Sequence, residues 1–102
     1  MSSAALEKVN QLILENVVMM FSKSYCPYCK RAATALTKNN IKFTQLELDQ
    51  TDDGPALQAA LLQKTGQRTV PNVFVHQKHI GGCDDLLAGL NNGSVQKLLA
   101  SN

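Results

Sequence analysis

The feature that most constrains this chain is an apolar run followed almost at once by two closely spaced cysteines. Val17–Phe21 is continuously apolar and partly β-branched, which is typical of a strand covered on both faces of a sheet. Cys26–Cys29 has the sequence Cys-Pro-Tyr-Cys, and the residues from Pro27 to Asn39 predict a helix with proline at its first position. Two thiols where a strand leads into a helix indicate either a redox site or a metal site.

The remaining patterns predict further alternation of helices and strands. Apolar residues at helical spacing indicate a first helix over residues 3–16, capped by Ser2 or Ser3. Alternating apolar residues indicate a strand over Ile41–Leu48. The later predicted elements are a helix over 56–64 after a turn at 51–55, a hairpin of 73–75 and 79–80 around Gln77-Lys78, and short helices over 84–90 and 95–100.

This order of elements defines the expected fold class. Two strands joined by a helix form a right-handed parallel pair, and the hairpin adds antiparallel strands. We therefore predict an α/β protein with a four-stranded mixed β-sheet flanked by about five α-helices. At 102 residues the chain is expected to form one domain, residues 1–102.

Composition and charge narrow the class of protein. Hydrophobic residues make up 44% and charged residues 18% of the chain, which is ordinary for a globular protein. A net charge of +2 without a basic cluster argues against a nucleic-acid partner. Val17–Phe21 is too short to span a bilayer and no signal peptide is recognisable, so we expect no membrane partner. The expected location is the cytoplasm, with an organellar form left open.

The metal alternative requires about four ligands. Structural zinc sites pair one CxxC with a second pair of cysteines or histidines, and the chain supplies only Cys83, His76 and His79. The two histidines flank a predicted tight turn, where we expect surface residues without a role. We therefore predict no metal.

The redox alternative accounts for more of the sequence. Cys26 immediately precedes the predicted helix, so the free N–H groups of the first turn point at its sulfur, and the helix dipole favours a thiolate by about 0.3–1 kcal/mol. Lys23, Lys30 and Arg31 lie nearby in the sequence and would add to this effect. Cys29 lies one turn further in, where we expect a less exposed thiol with an ordinary pKa.

Such an asymmetric pair suits thiol–disulfide exchange. Cys26 would attack a disulfide and Cys29 would resolve the resulting mixed disulfide. Three cysteines are an odd number, which does not suit a structural disulfide scaffold. Two inert cysteines that are adjacent by chance remain the alternative to this interpretation.

Three segments of the chain resemble the dithiol glutaredoxins. They are residues 23–30 (Lys-Ser-Tyr-Cys-Pro-Tyr-Cys-Lys), residues 65–74 and residues 78–86, in the order that the family has. Thioredoxin itself is distinguished by Trp-Cys-Gly-Pro-Cys, and this chain has no tryptophan. The resemblance implies a thioredoxin fold, glutathione as the reducing co-substrate, and a cis peptide bond before Pro71.

The resemblance also implies which residues bind glutathione. Cys26 would accept the glutathionyl group, Cys29 would be the resolving thiol, and Tyr28 would form a wall of the groove. The loop of Thr69, Val70 and Pro71 would face the cysteines and offer the Val70 backbone to an extended peptide.

The charged ends of glutathione would meet two further groups of residues. Lys23, Gln58 and Arg68 match family positions around the glycine carboxylate. Gly82, Cys83 and Asp84 begin a predicted helix whose N–H groups would bind the γ-glutamyl carboxylate, and Asp85 would pair with the ammonium. Many family members carry serine where this chain has Asp84, so the division of labour between the two aspartates stays open. Cys83 is not required for the exchange chemistry.

Two functions from different classes follow from these interpretations. The first is an enzyme that uses glutathione to reduce protein–glutathione mixed disulfides and protein disulfides, acting as a monomer. The second is a binding module, a dimer holding an iron–sulfur cluster through Cys26 and two glutathione molecules. Cluster-binding relatives usually replace the residue equivalent to Pro27, so the resemblance favours the enzyme.

Overall fold

The computed structural model describes residues 3–101 and contains the helices and strands in the predicted order. The elements are α1 (Ala4–Glu15), β1 (Val18–Ser22), α2 (Pro27–Lys38), β2 (Thr44–Glu47), a 3₁₀ turn (Leu48–Gln50), α3 (Gly54–Thr65), β3 (Asn72–Val75), β4 (Lys78–Gly81), α4 (Cys83–Asn92) and α5 (Ser94–Ala100). The predicted α/β class, with a four-stranded mixed sheet and five α-helices, is confirmed. Within residues 3–101, no helix combines the length and apolarity needed to cross a bilayer.

The sheet has the strand order β2-β1-β3-β4. β1 and β2 run parallel, with Met19 opposite Thr44, as expected of two strands joined by the helix α2. β3 is antiparallel to β1 and pairs with β4 in the hairpin. β1 and β3 are therefore the central strands, and their ends carry the loops that form the site.

The apolar run Val18–Phe21 of β1 is explained by its position, whereas Val17, predicted to begin the buried strand, lies before it and is 52% exposed. All five residues of this strand are buried because helices cover both faces of the sheet. On one face Met20 packs with residues of α2, α4 and α5, and we call this set the first core. On the other face Phe21 packs with residues of α1 and α3, which we call the second core. There Phe21 meets Phe74 edge to face, with ring centroids 6.1 Å apart.

Local boundaries differ from the prediction at several elements. β2 begins at Thr44 rather than Ile41, because Ile41 and Phe43 pack against the first core from a loop instead of pairing with β1. The residue after β2, Leu48, turns into a 3₁₀ helix rather than ending the strand. The hairpin turn lies one residue earlier than predicted, at His76-Gln77, where both residues have positive φ.

The starts of two helices, α1 and α3, can be compared with the prediction. Ser3 caps α1, since its hydroxyl accepts the Leu6 N–H at 3.0 Å, whereas the alternative cap Ser2 lies outside the described residues. α3 begins earlier than the predicted residue 56, at Gly54, which is buried against the 3₁₀ turn. A Cβ at Gly54 would collide with the Leu48 carbonyl oxygen. Glycine therefore allows α3 to start in direct contact with the end of β2.

We expect Gly54→Ala to lower the free energy of unfolding by about 1–3 kcal/mol, because the added methyl group overpacks a fixed backbone contact. Urea unfolding monitored by circular dichroism measures this change. Ala59→Ser, on the exposed face of the same helix, is the matched control and should stay within about 0.5 kcal/mol of the parent protein. Equal unfolding midpoints for Gly54→Ala and the parent would contradict this role of the glycine.

Candidate active site

The cysteine pair lies where β1 gives way to α2. Cys26 is the N-cap of α2, and Pro27 takes the first helical position, where its missing N–H leaves no bond unmade. The Cys26 sulfur accepts the backbone N–H of Cys29 at 3.2 Å. This bond satisfies one of the free donors of the first turn. Of the first-turn donors predicted to point at this sulfur, the Cys29 N–H therefore binds it.

The Cys26 sulfur also faces the loop before β3. It lies 3.8 Å from the Val70 carbonyl oxygen, and the peptide bond between Val70 and Pro71 is cis, as the resemblance implied. Cys26 is 9% exposed and Cys29 only 3%, so the outer thiol is the more accessible of the two. All three cysteines of the chain, including Cys83, are reduced.

The pKa values of the two buried thiols Cys29 and Cys83 are both raised. Burial, reinforced by the hydrogen bond to Cys26, raises the pKa of Cys29 from 9.0 to about 12. The expectation of an ordinary pKa for Cys29 is therefore wrong, because sequence spacing does not reveal how completely α2 buries this side chain. Burial also raises the pKa of Cys83, and the nearby Arg31 partly opposes this. Both groups are neutral thiols at physiological pH.

A groove of about 460 Å³ runs beside the cysteine pair. Its lining residues are Tyr28, Gln67, Thr69, Val70, Pro71, Gly82, Cys83, Asp84 and Asp85. Eight of these nine were predicted to contact glutathione, and the fold brings them together from three separate parts of the chain. The groove therefore joins the Cys-Pro-Tyr-Cys turn, the loop before β3 and the start of α4.

The wall of the groove formed by α4 is suited to binding an anion next to a cation. Gly82 is the N-cap of α4, so the first N–H groups of the helix point into the groove. Asp84 and Asp85 are both exposed in the first turn. The Asp85 carboxylate packs over Gly81, where a side chain would collide with it and where φ is +123°. Glycine at this position therefore leaves room for the Asp85 carboxylate.

The three residues predicted around the glycine carboxylate lie away from this groove. Lys23 and Gln58 line a second cavity of about 500 Å³, together with Tyr25 and Asp49, and Arg68 lies outside both. The Gln58 amide nitrogen donates to the Arg68 carbonyl oxygen at 2.8 Å, while its amide oxygen is buried without a partner among the described residues. Hydrogen bonds from Ser24 hold the pKa of Asp49 low, at about 2, so this cavity carries an anionic carboxylate as well as the Lys23 ammonium.

The sequence interpretation missed Gln67. Its side-chain nitrogen donates to the carbonyl oxygens of both Thr69 and Pro71 at 2.9 Å, one on each side of Val70. Its backbone N–H in turn donates to the Thr65 hydroxyl at 3.0 Å. Gln67 thus fixes the loop that faces the Cys26 sulfur. The only sequence signal was a glutamine next to the Thr-Val-Pro segment, which alone does not reveal that the side chain folds back.

The expectation that His79 is without a role also needs correction. Its Nε2 atom lies 2.8 Å from the side-chain oxygen of Asn72, which is completely buried, and its ring packs against Phe74. Burial lowers the pKa of His79, opposed by the Asp85 carboxylate. His79 therefore satisfies a buried polar group at the start of β3. Among residues 3–101, no three His, Cys, Asp or Glu side chains form a group suited to a metal ion.

The sheet topology and the site together define a class of protein. A cysteine pair at the start of a helix, facing a cis-proline loop at the same end of a four-stranded mixed sheet, is the arrangement of thiol–disulfide oxidoreductases with the thioredoxin fold.

Comparison with known proteins specifies the family. The glutaredoxin family profile matches residues 18–80. Glutaredoxin-1 of Rhizophagus irregularis is 50% identical over 95 residues, which cover 93% of this chain and 94% of the relative. Glutaredoxin-C6 of Oryza sativa subsp. japonica is 48% identical over 95 residues, covering 93% of this chain and 85% of the relative. The chain therefore belongs to the glutaredoxin family and is a glutathione-dependent thiol–disulfide oxidoreductase.

Solved structures agree with this assignment. The structure of a buckwheat glutaredoxin–glutathione complex has a TM-score of 0.91 and 48% sequence identity, covering 93% of this chain and 86% of that one. The holo form of glutaredoxin C1 from Populus tremula x tremuloides has a TM-score of 0.92 and 42% identity, covering 95% and 96%. The thioredoxin fold implied by the sequence resemblance is confirmed.

The raised pKa of Cys29 predicts a pH dependence of stability. Between pH 9 and 12 the folded protein keeps a proton on Cys29 that the unfolded chain loses. The contribution of this thiol to stability is therefore fully present below pH 9 and is lost as the pH rises toward 12. Urea unfolding under a phosphine reductant should show a steeper loss of stability between pH 8.5 and about pH 10.5 in the parent than in Cys29→Ser. If the free energies of unfolding of the parent and of Cys29→Ser changed in parallel with pH, this prediction would be contradicted.

Gln67→Ala is expected to lower kcat/KM for a small mixed disulfide of glutathione by about three- to tenfold, because two hydrogen bonds to the loop are lost. A loop that no longer holds the substrate in place should raise KM more than it lowers kcat. Gln63→Ala, at an exposed position of α3, is the control and should match the parent. Unchanged kinetics for Gln67→Ala would show that the loop keeps its position without this side chain.

Proposed function

We propose that this protein reduces protein–glutathione mixed disulfides, and some protein disulfides, with Cys26 as nucleophile and glutathione as reductant. The observation that carries the proposal is the position of the Cys26 sulfur. It accepts the Cys29 N–H at 3.2 Å and lies beside the groove of about 460 Å³ that is lined by Val70, Pro71 and the first turn of α4. Protein substrates carrying glutathione or a disulfide, and a monomeric enzyme, are part of the proposal.

Glutathione would lie along the groove with its sulfur at Cys26. The backbone of Val70 would pair with the cysteinyl residue of glutathione, beside Thr69 and Pro71. The start of α4 would bind the γ-glutamyl group, its carboxylate at the N–H groups near Cys83 and its ammonium at Asp84 or Asp85. That a similar buckwheat protein forms a complex with glutathione supports glutathione as the ligand of this groove.

The glycine end of glutathione would reach toward the second cavity. Lys23 supplies a cation there, and Arg68 is exposed on the adjoining loop. Gln58 would contribute indirectly, since its amide nitrogen already holds the Arg68 backbone. The carboxylate would therefore be bound mainly by charge from the two cationic side chains.

The exchange begins at the more exposed sulfur. The Cys26 thiolate attacks the glutathione sulfur of the mixed disulfide, the S–S bond to the substrate protein breaks, and the substrate leaves as a thiolate that takes up a proton from water. Cys26 is now joined to glutathione. A second glutathione thiolate attacks the glutathione sulfur of this adduct, which releases glutathione disulfide and restores the Cys26 thiolate.

Cys29 provides a second route by which glutathione can be released from the Cys26–glutathione adduct. Its sulfur attacks Cys26, glutathione leaves as a thiol with the proton of Cys29, and the two cysteines form a disulfide. In the reduced protein the pKa of Cys29 is about 12, partly because of the hydrogen bond and charge of Cys26. Formation of the mixed disulfide removes these two effects. Cys29 thus becomes easier to deprotonate only after Cys26 has reacted.

The proposal is tested with a glutathionylated peptide. Cys26→Ser should lose at least about 10³-fold in kcat/KM, since the nucleophile is gone, whereas Cys29→Ser should retain deglutathionylation. Both variants are then treated with oxidised glutathione and the adduct is located by mass spectrometry. We expect a single glutathione on Cys26 of the Cys29→Ser variant. Retained activity of Cys26→Ser, or an adduct on Cys83 alone, would contradict the assignment of the nucleophile.

A further inference from the structure

A third cavity lies on the outer face of the first core and takes no part in the site described above. It has a volume of about 380 Å³ between α2 and α4, and we call it the α2–α4 cleft. Its lining residues are Lys30, Arg31, Thr34, Ala35, Lys38 and Leu87.

The cleft combines a cationic rim with an apolar floor. Lys30, Arg31 and Lys38 are exposed, whereas Ala35 and Leu87 are half-buried. Within residues 3–101 the structure forms one ion pair, between Lys8 and Asp53 on the opposite face of the sheet. Among the residues that the structure describes, Lys30, Arg31 and Lys38 therefore have no carboxylate partner within ion-pair distance.

The nearest acidic residues on the adjoining helix do not neutralise the cleft. Asp84 and Asp85 belong to the first turn of α4 and line the glutathione groove. Asp84 and Arg31 both influence Cys83, yet they form no ion pair with each other. The positive charge of α2 is thus available to a partner.

The cleft is continuous with the active site through two stacked side chains. The Arg31 guanidinium lies 5.7 Å from the centre of the Tyr28 ring, and Tyr28 lines the glutathione groove. Tyr28 is 56% exposed, so its ring is accessible to a substrate chain that extends from the groove.

The helix geometry sets the distances from the reactive sulfur. With a rise of about 1.5 Å per residue, Lys30 lies about 6 Å and Lys38 about 18 Å beyond Cys26 along α2. An extended chain advances about 3.3 Å per residue, so these distances correspond to about two and five residues. The apolar floor lies between these two points, because Ala35 is between them on the helix.

We propose that the α2–α4 cleft binds an acidic segment of the protein substrate, next to the cysteine whose disulfide Cys26 attacks. This segment carries carboxylates about two and five residues from that cysteine, with an apolar side chain between them. The inference rests on the proposed function and adds a determinant of which protein substrates are preferred. Charge complementarity selects an acidic partner, and the floor of Ala35 and Leu87 selects one apolar anchor.

The test uses three glutathionylated peptides that differ only in charge. The acidic peptide carries glutamate at the second and fifth positions from the modified cysteine and leucine at the fourth, which corresponds to Ala35 on the helix. It is made with this segment on either side of the cysteine. The matched peptides carry glutamine or lysine in place of both glutamates. We measure kcat/KM at low and at high ionic strength with the parent, Lys38→Glu and Lys38→Gln.

In the parent we expect the acidic peptide, in at least one of its two orientations, to be reduced fastest and the basic peptide slowest. Lys38→Glu should lower kcat/KM for the acidic peptide by about three- to tenfold and raise it for the basic one, while the glutamine peptide changes less than about twofold. Lys38→Gln should give an intermediate effect with a smaller perturbation of the fold. High ionic strength should reduce all these differences.

Lys64→Glu is the matched control. Lys64 is an exposed lysine at the end of α3, on the opposite face of the sheet, and the same charge change there should leave the ranking of the peptides unaltered. An equal effect of Lys64→Glu and Lys38→Glu would overturn the inference, since only net charge would then matter. The inference would also be overturned if the parent enzyme reduced all three peptides equally fast, and in that case the proposed function would still stand. A parent enzyme that reduces none of them would contradict the proposed function itself.

A second copy of the chain is the competing occupant of the cleft. Light scattering at low ionic strength distinguishes it from a substrate segment. We expect the parent and Lys38→Glu to have the same mass. A parent dimer that Lys38→Glu dissociates would assign the cleft to self-association and overturn the inference.

Discussion

The hydrogen bond from the Cys29 amide to the Cys26 sulfur is the contact on which the site depends. It exists because β1 ends just before a helix whose first position is proline, so that a free N–H of the first turn meets a sulfur rather than a hydroxyl. The same turn places the side chain of Cys29 in the interior of the protein, where it is 3% exposed. One change of direction in the backbone thus gives two chemically identical groups different surroundings. Their order of reaction follows from this difference.

The fold also places the loop before β3 opposite the Cys26 sulfur. β3 lies next to β1, so the loop before β3 ends opposite the start of α2. Gln67 then fixes this loop through the carbonyl oxygens of Thr69 and Pro71. Since a misplacement of about 1 Å can slow a reaction by about 10²-fold, the support that Gln67 gives to this loop matters to the site as the thiols do.

Much of this arrangement was predictable because local signals agreed with the fold. The buried run of β1, the proline after Cys26 and the serine cap of α1 each specify one local structure. Where the prediction failed, the cause was tertiary packing. Ile41 and Phe43 alternate as in a strand, but the pairing of β2 with β1 begins only at Thr44, and both side chains pack against the first core from a loop. The pKa of Cys29 depends on burial, which no spacing rule contains.

The two cores described above anchor different walls of the groove. The start of α4 is fixed by the first core, through Cys83 and Leu86, whereas Val70 in the opposite loop packs against the second core. The central strands β1 and β3 separate the two sets of side chains. Substitutions at Leu86 in the first core are therefore expected to act mainly on the wall formed by α4, and substitutions beside Val70 in the second core mainly on the opposite wall. A lineage of such proteins is consequently free to diversify its recognition of the γ-glutamyl end and of the peptide backbone as separate traits.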